Sequence, residues 1–221
     1  MNSVSIRSAW LASIAFLLLA TLGVTGAQVP PEGADVEAPF VCPEPDEPPP
    51  PPANEAERQE RERRARYRAL FPLYVAAVGP EVDNRLPIPV DGVRASEIAD
   101  TWGAPRGGGR RHEGQDLFAP TGTPIRSATP GFVWRIGERT LGGKTVTVIG
   151  GGGRRYYYAH LSDYGDIREG QAVTTDTVIG FVGNTGNART TPPHLHFGVY
   201  ESREDACSWD ALDPYPLFVN R

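Results

Sequence analysis

From Leu86 onward, each apolar stretch of the sequence is short and soon interrupted by glycine or proline. Gly131-Phe-Val-Trp-Arg-Ile, Lys144-Thr-Val-Thr-Val-Ile, Arg155-Tyr-Tyr-Tyr-Ala-His-Leu and Val178-Ile-Gly-Phe-Val-Gly are typical. β-branched and aromatic residues fill them, as pleated strands prefer. The 25 glycines and 22 prolines among 221 residues argue against a helical bundle. The pattern predicts a mainly β, compact antiparallel domain over residues 86–201, with a tail, 202–221, packing on it. A formal charge of -5 excludes a general nucleic-acid binder.

The N-terminal third has a different character. Arg7 supplies a positive start, and Trp10 to Leu22 forms an apolar run. Thr25-Gly26-Ala27 offers the small residues a signal peptidase accepts, so residues 1–27 read as an export signal cleaved before Gln28. Left uncleaved, the same run would be an anchor, and only then would the membrane be a partner. In an oxidising compartment, Cys42 and Cys207 read as an intrachain disulfide tying the N-terminal segment to the C-terminal tail. Two independent thiols remain the alternative, because sequence does not place their Cα atoms within bridging distance.

Residues 28–53 form a Pro-rich, disordered linker. Pro48 to Pro52 enforce polyproline II and make it a semi-rigid spacer. Residues 54–85 read as a short charged helix and a connection. Asn54 is the candidate N-cap. Glu57–Arg61, Glu60–Arg64 and Glu62–Arg66 are i,i+4 pairs with the acid first. Apolar positions up to Leu70 are few, so a largely solvated helix is expected, docked only by Leu70, Phe71, Leu73, Tyr74 and Val75.

All four histidines fall within the β domain. In His112-Glu-Gly-Gln-Asp116, an imidazole and a carboxylate are spaced to share one side of a turn or bulge, and both are ordinary zinc ligands. In His194-Leu-His196, strand alternation points both imidazoles the same way and turns Leu195, Phe197 and Val199 to the core. Strict alternation from Tyr156 puts His160 on one face with Tyr156 and Tyr158, opposite Tyr157, Ala159 and Leu161. Gly107 to Gly109 precede Arg110-Arg111-His112, and Gly150 to Gly153 precede Arg154-Arg155. Both read as loops at a cleft edge, with arginines suited to peptide carboxylates.

These residues together resemble the lysostaphin-like, LytM-type zinc metallopeptidases. The matching stretches are His112-Glu-Gly-Gln-Asp116, Ala119-Pro-Thr-Gly-Thr-Pro-Ile, Gly131-Phe-Val, Tyr158-Ala-His-Leu-Ser162, Gly180-Phe-Val-Gly-Asn-Thr-Gly186 and His194-Leu-His-Phe197. They occur in the family's order. The resemblance implies a lysostaphin-like peptidase fold and one Zn²⁺ per chain, held by His112, Asp116 and His196. It also implies that His160 and His194 are catalytic residues that do not ligate the metal. Three protein ligands would leave a fourth position for water, the mark of a catalytic zinc.

The implied activity is hydrolysis of peptide bonds in peptidoglycan cross-links or stem peptides, outside the cytoplasm, in the periplasm, cell envelope or extracellular space. The alternative is a non-enzymatic relative that binds and activates a cell-wall amidase. Such relatives lose zinc ligands, whereas here all five residues are present. The chain departs from the family at Thr175-Asp176-Thr177, where a glycine is usual, and at Gly198, where an acid is common.

Overall fold

The computed structural model describes residues 50–202 and 208–221. The export signal, most of the Pro-rich linker and both cysteines of the expected disulfide lie outside these residues. In chain order the elements begin with helix α1 (Glu55–Val78) and strands β1 (Leu86–Pro87), β2 (Gln115–Phe118) and β3 (Pro124–Arg126). Then come β4 (Gly131–Arg139), β5 (Gly143–Ile149), β6 (Arg155–Leu161), β7 (Asp163–Tyr164) and β8 (Ala172–Val173). The last are β9 (Val178–Phe181), β10 (His194–Ser202), β11 (Trp209–Leu212) and β12 (Phe218–Val219).

The fold is mainly β. Seven strands form an antiparallel sheet in the order β11-β10-β6-β5-β4-β8, with β2 paired to β10 as well. Since β6 takes one edge of β10, β2 and β11 share the other in succession, β2 along His194–Phe197 and β11 along Val199–Ser202. A smaller antiparallel sheet, β3-β9-β7, packs beside it. In the C-terminal tail, β12 pairs in parallel with β1, and Arg221 Nε donates to Ile88 O.

Alternation sorts the large sheet into two faces. Val133, Val146, Val148, Tyr156, Tyr158, Leu195, Phe197 and Val199 are buried in one continuous core with Leu86, Ile125 and Ile179. Residues of the opposite parity, including Trp134, Arg155, Tyr157, His194 and His196, fall on the other face. Helix α1 lies on this second face, covering the part near Trp134 and Arg155.

Asn54 caps α1, its Oδ1 accepting from Glu57 N at 2.9 Å. Glu57–Arg61 and Glu60–Arg64 pair as the spacing predicts, and Glu62–Arg66 does not. The helix is longer and better docked than the sequence indicates. It continues through Pro72 to Val78, and Gly79 closes it in the left-handed region with N–H to Val75 O. Tyr67 is buried, edge-on to Trp134, with its hydroxyl donating to Glu169 Oε1 at 2.5 Å. Phe71 packs against both Trp134 and Trp209, and Tyr74 against Phe132. Leu73, by contrast, stays 64% exposed. Three aromatic residues on one stripe anchor a helix most of whose charged residues are exposed. Among the described residues, no helix is long and apolar enough to cross a membrane.

The Gly150–Gly153 loop is not at a cleft edge. It packs under the end of α1, where Gly152 N donates to Gly79 O at 2.9 Å. Arg154 is buried, with Nε donating to Glu201 Oε1 at 2.6 Å and Nη1 to Asp83 O at 2.8 Å. The Arg155 guanidinium stacks between two indoles, 3.2 Å from the Trp209 centroid and 4.2 Å from that of Trp134. Neither arginine is available to a ligand.

Phe71→Ala should remove the contact between α1 and this stack. The expected cost is about 2 kcal/mol, below that of a fully buried Phe→Ala change because Phe71 is half-buried. Urea denaturation measures it, and an unchanged midpoint would mean that α1 adds nothing to the stability of the sheet.

Candidate metal centre

Strand register builds the site. β2 runs antiparallel to β10 with Asp116 directly opposite His196 and Phe118 opposite His194. On the other edge of β10, His196 faces Ala159 of β6. His194 and His196 point together off the non-core face, as alternation predicts, with Leu195, Phe197 and Val199 in the core. His112 reaches the same point from the chain just before β2. Gly114 makes this possible, because a Cβ there would lie 2.6 Å from Phe197 O and 2.7 Å from His196 Cε1.

Three atoms converge. His112 Nε2 is 2.8 Å from His196 Nδ1 and 3.1 Å from Asp116 Oδ1, and His196 Nδ1 is 3.2 Å from the same oxygen. A tetrahedral ion with bonds near 2.0–2.1 Å requires donor atoms roughly 3.3 Å apart. Two imidazole nitrogens and one carboxylate oxygen at these separations fit a zinc-like ion with only a few tenths of an ångström of adjustment. His194 Nε2 is more distant, 3.8 Å from Asp116 Oδ1. The His160 ring centroid lies 5.0 Å from that of His194 and 6.0 Å from that of His196. All four imidazoles line one cleft of about 380 Å³, with Asp116, Tyr157 and Tyr200.

The tautomers are set by main-chain carbonyls. His112 Nδ1 donates to Thr101 O at 2.8 Å, His160 Nδ1 to Thr185 O at 2.9 Å and His194 Nδ1 to Pro192 O at 2.8 Å. With Nδ1 so committed, the Nε2 atom of each ring faces the cleft. Burial pushes His160 down to about 4, reinforced by His194 and His196, so its ring is neutral at pH 7. Burial also lowers His196, against the pull of Asp116. At Asp116 burial opposes ionisation. The hydrogen bonds to His112 and His196 outweigh it and hold the carboxyl well below the usual range.

Two features escape a reading of the sequence. Arg106 Nη2 donates to Asp116 Oδ2 at 2.5 Å, fixing the carboxylate so that Oδ1 faces the imidazoles. Its only sequence signal is a lone arginine six residues before His112. The second concerns His160. Strict alternation places it with Tyr156 and Tyr158, but those two are in the core, and His160 lies with Tyr157 and Ala159 in the cleft. The cause is a β-bulge. The β5–β6 register slips between Lys144 and Val146, and His160 takes φ 66, the one positive φ among described non-glycine residues. Leu161 thereby returns to the core.

Comparison with known proteins gives the class to which this sheet and cleft belong. Residues 110–209 match the family model described as Peptidase family M23. The chain is 40% identical over 124 residues to the L-Ala–D-Glu endopeptidase of Bacillus subtilis, covering 52% of this chain and 37% of that protein. It is 33% identical to the catalytic domain of lysostaphin from Staphylococcus simulans, over 54% of this chain and 89% of that one, with TM-score 0.47. A LytM structure from Ruminococcus gnavus aligns with TM-score 0.51 at 27% identity, covering 76% of this chain and 72% of that one.

The chain belongs to peptidase family M23. It spans about a third or less of the length of the first curated relatives it matches.

The bulge generates a prediction. A left-handed backbone costs about 1 kcal/mol for alanine and nothing for glycine. His160→Gly should therefore be about 1 kcal/mol more stable than His160→Ala, although both lose the bond to Thr185. Thermal denaturation of the pair measures it, and an alanine variant of equal or greater stability would remove the strain at this position.

Proposed function

We propose that the protein is an exported zinc endopeptidase that hydrolyses peptide bonds in peptidoglycan cross-links or stem peptides. The observation that carries this reading is the convergence of His112 Nε2, Asp116 Oδ1 and His196 Nδ1 beside two further imidazoles in one cleft. Those three atoms would hold one ion per chain. When bound, zinc supplies Lewis acidity, making water a nucleophile near neutral pH and polarising an amide carbonyl.

His160 and His194 supply the proton chemistry. Each has Nδ1 committed to a main-chain carbonyl, so exchange takes place at Nε2, which faces the cleft. A neutral imidazole accepts a proton there and, once charged, stabilises negative charge on a substrate oxygen. The two approach from different strands, so the reacting group is flanked on two sides. Arg106 keeps the Asp116 carboxylate oriented throughout. The complete donor set argues against a regulator that activates an amidase. Export rests on the apolar run from Trp10 and on Thr25-Gly26-Ala27.

His112→Ala, Asp116→Ala and His196→Ala should each lose bound zinc and hydrolysis together. His194→Ala and His160→Gly should keep zinc while turnover falls by roughly 10²–10⁴-fold. Metal content and fragment release from purified peptidoglycan, measured on the same samples, check both sets. Zinc lost from the second set would mean that ligands and proton carriers are wrongly divided.

A further inference from the structure

The cleft carries more positive charge than its chemistry uses. In a chain of net charge -5, three arginines line it, Arg106, Arg110 and Arg111, against the carboxylates of Asp116 and Glu113. Arg106 is engaged by Asp116. Arg110 and Arg111 are exposed, and neither has a carboxylate within ion-pair distance among the described residues. Among the described residues, Arg110 donates only to Gly107 O, through Nε, and Arg111 only to Gly103 O, through Nη1. Their remaining N–H groups have no hydrogen-bond acceptor among the described residues. Glu113 lies toward Tyr200, whose hydroxyl contacts the Glu113 carbonyl.

The two arginines are held on a small hairpin. Gly103 N donates to His112 O, His112 N to Ala104 O and Arg106 N to Arg110 O, each at 2.9 Å, and Pro105 bridges Arg111. The turn at Gly107–Gly109 depends on positive φ at Gly108 and Gly109, 74° and 75°, which side-chain-bearing residues rarely adopt. The hairpin therefore delivers two forked cations immediately before His112, at the rim of the cleft. Guanidinium forks match carboxylates in shape as well as charge.

We infer that Arg110 and Arg111 form a carboxylate subsite, and that the substrate is an acidic peptide with a free carboxylate close to the scissile bond. This rests on the peptidase reading and narrows it, separating an acidic stem peptide from an uncharged glycine bridge. Two sources offer that carboxylate: the α-carboxylate of a γ-linked D-glutamate, and the free C-terminus of the stem.

The test is binding of synthetic stem pentapeptides to the zinc-loaded full chain, in the His194→Ala background where turnover is slow, by titration calorimetry. One pair contrasts D-glutamate with D-isoglutamine, and the other a free C-terminus with its amide. In at least one pair the acid should bind about tenfold tighter than the amide, the discrimination that two solvent-exposed charge-assisted contacts supply. The pair that discriminates identifies the source. Arg110→Gln/Arg111→Gln should bring that ratio to about one while zinc content is unchanged.

Equal affinities in both pairs, no measurable binding, or discrimination that survives the double substitution would each overturn the subsite. Hydrolysis by the unsubstituted chain is scored separately. Discrimination without hydrolysis would sink the peptidase reading and leave the subsite standing.

Discussion

The site depends on the placement of strand β10 between β6 and β2. One of its edges sets His196 against Asp116, and the other sets it against Ala159, beside the bulged His160. Slipping this register by one residue would exchange His194 and His196 for Leu195 and Phe197, burying the imidazoles and exposing the core. The buried residues of the continuous core oppose that slip, Phe197 and Leu195 among them. The hydrophobic core thus fixes the positions of the polar atoms through the register of β10. Gly114 adds the close approach that lets His112 join the pair.

The same face of the sheet carries α1, and the junction there is an arginine between two tryptophans. Burial pushes Arg155 down to about 9, with Arg139 and Arg135 adding to the effect, so it remains a cation at neutral pH. Indole faces are a favourable environment for that charge, and Phe71 of the helix packs against both indoles. Arg135 pairs in turn with Glu60 of α1 at 2.9 Å. A helix with few apolar positions is therefore held by aromatic and ionic contacts to one patch of sheet.

Where a strand is regular, its chemistry is legible in sequence. His194 and His196 share a face because β10 alternates without interruption, and the antiparallel β class follows from how glycine and proline divide the chain. His160 is different. Its face depends on a bulge, and nothing in Tyr-Tyr-Tyr-Ala-His-Leu marks where an extra residue enters the ladder. Arg106 was illegible because the fold of the hairpin before β2, not spacing along a strand, brings it to Asp116. Arg154 and Arg155 resemble Arg110 and Arg111 in sequence, each pair following a glycine run, yet long-range packing under α1 buries one pair and leaves the other open. The stripe of Tyr67, Phe71 and Tyr74 was present but sparse, and its value came from Trp134, Trp209 and Phe132 elsewhere in the chain.

Three of the four imidazoles are oriented by main-chain oxygens, those of Thr101, Thr185 and Pro192. A carbonyl is the same group whatever side chain it accompanies. Those positions can therefore drift in identity over evolution while the hydrogen bond that aims each ring persists. A column of unlike residues in an alignment can then mark a support of the site as firmly as an invariant one. Such supports are recognised by where the chain passes, and residue identity leaves them unmarked.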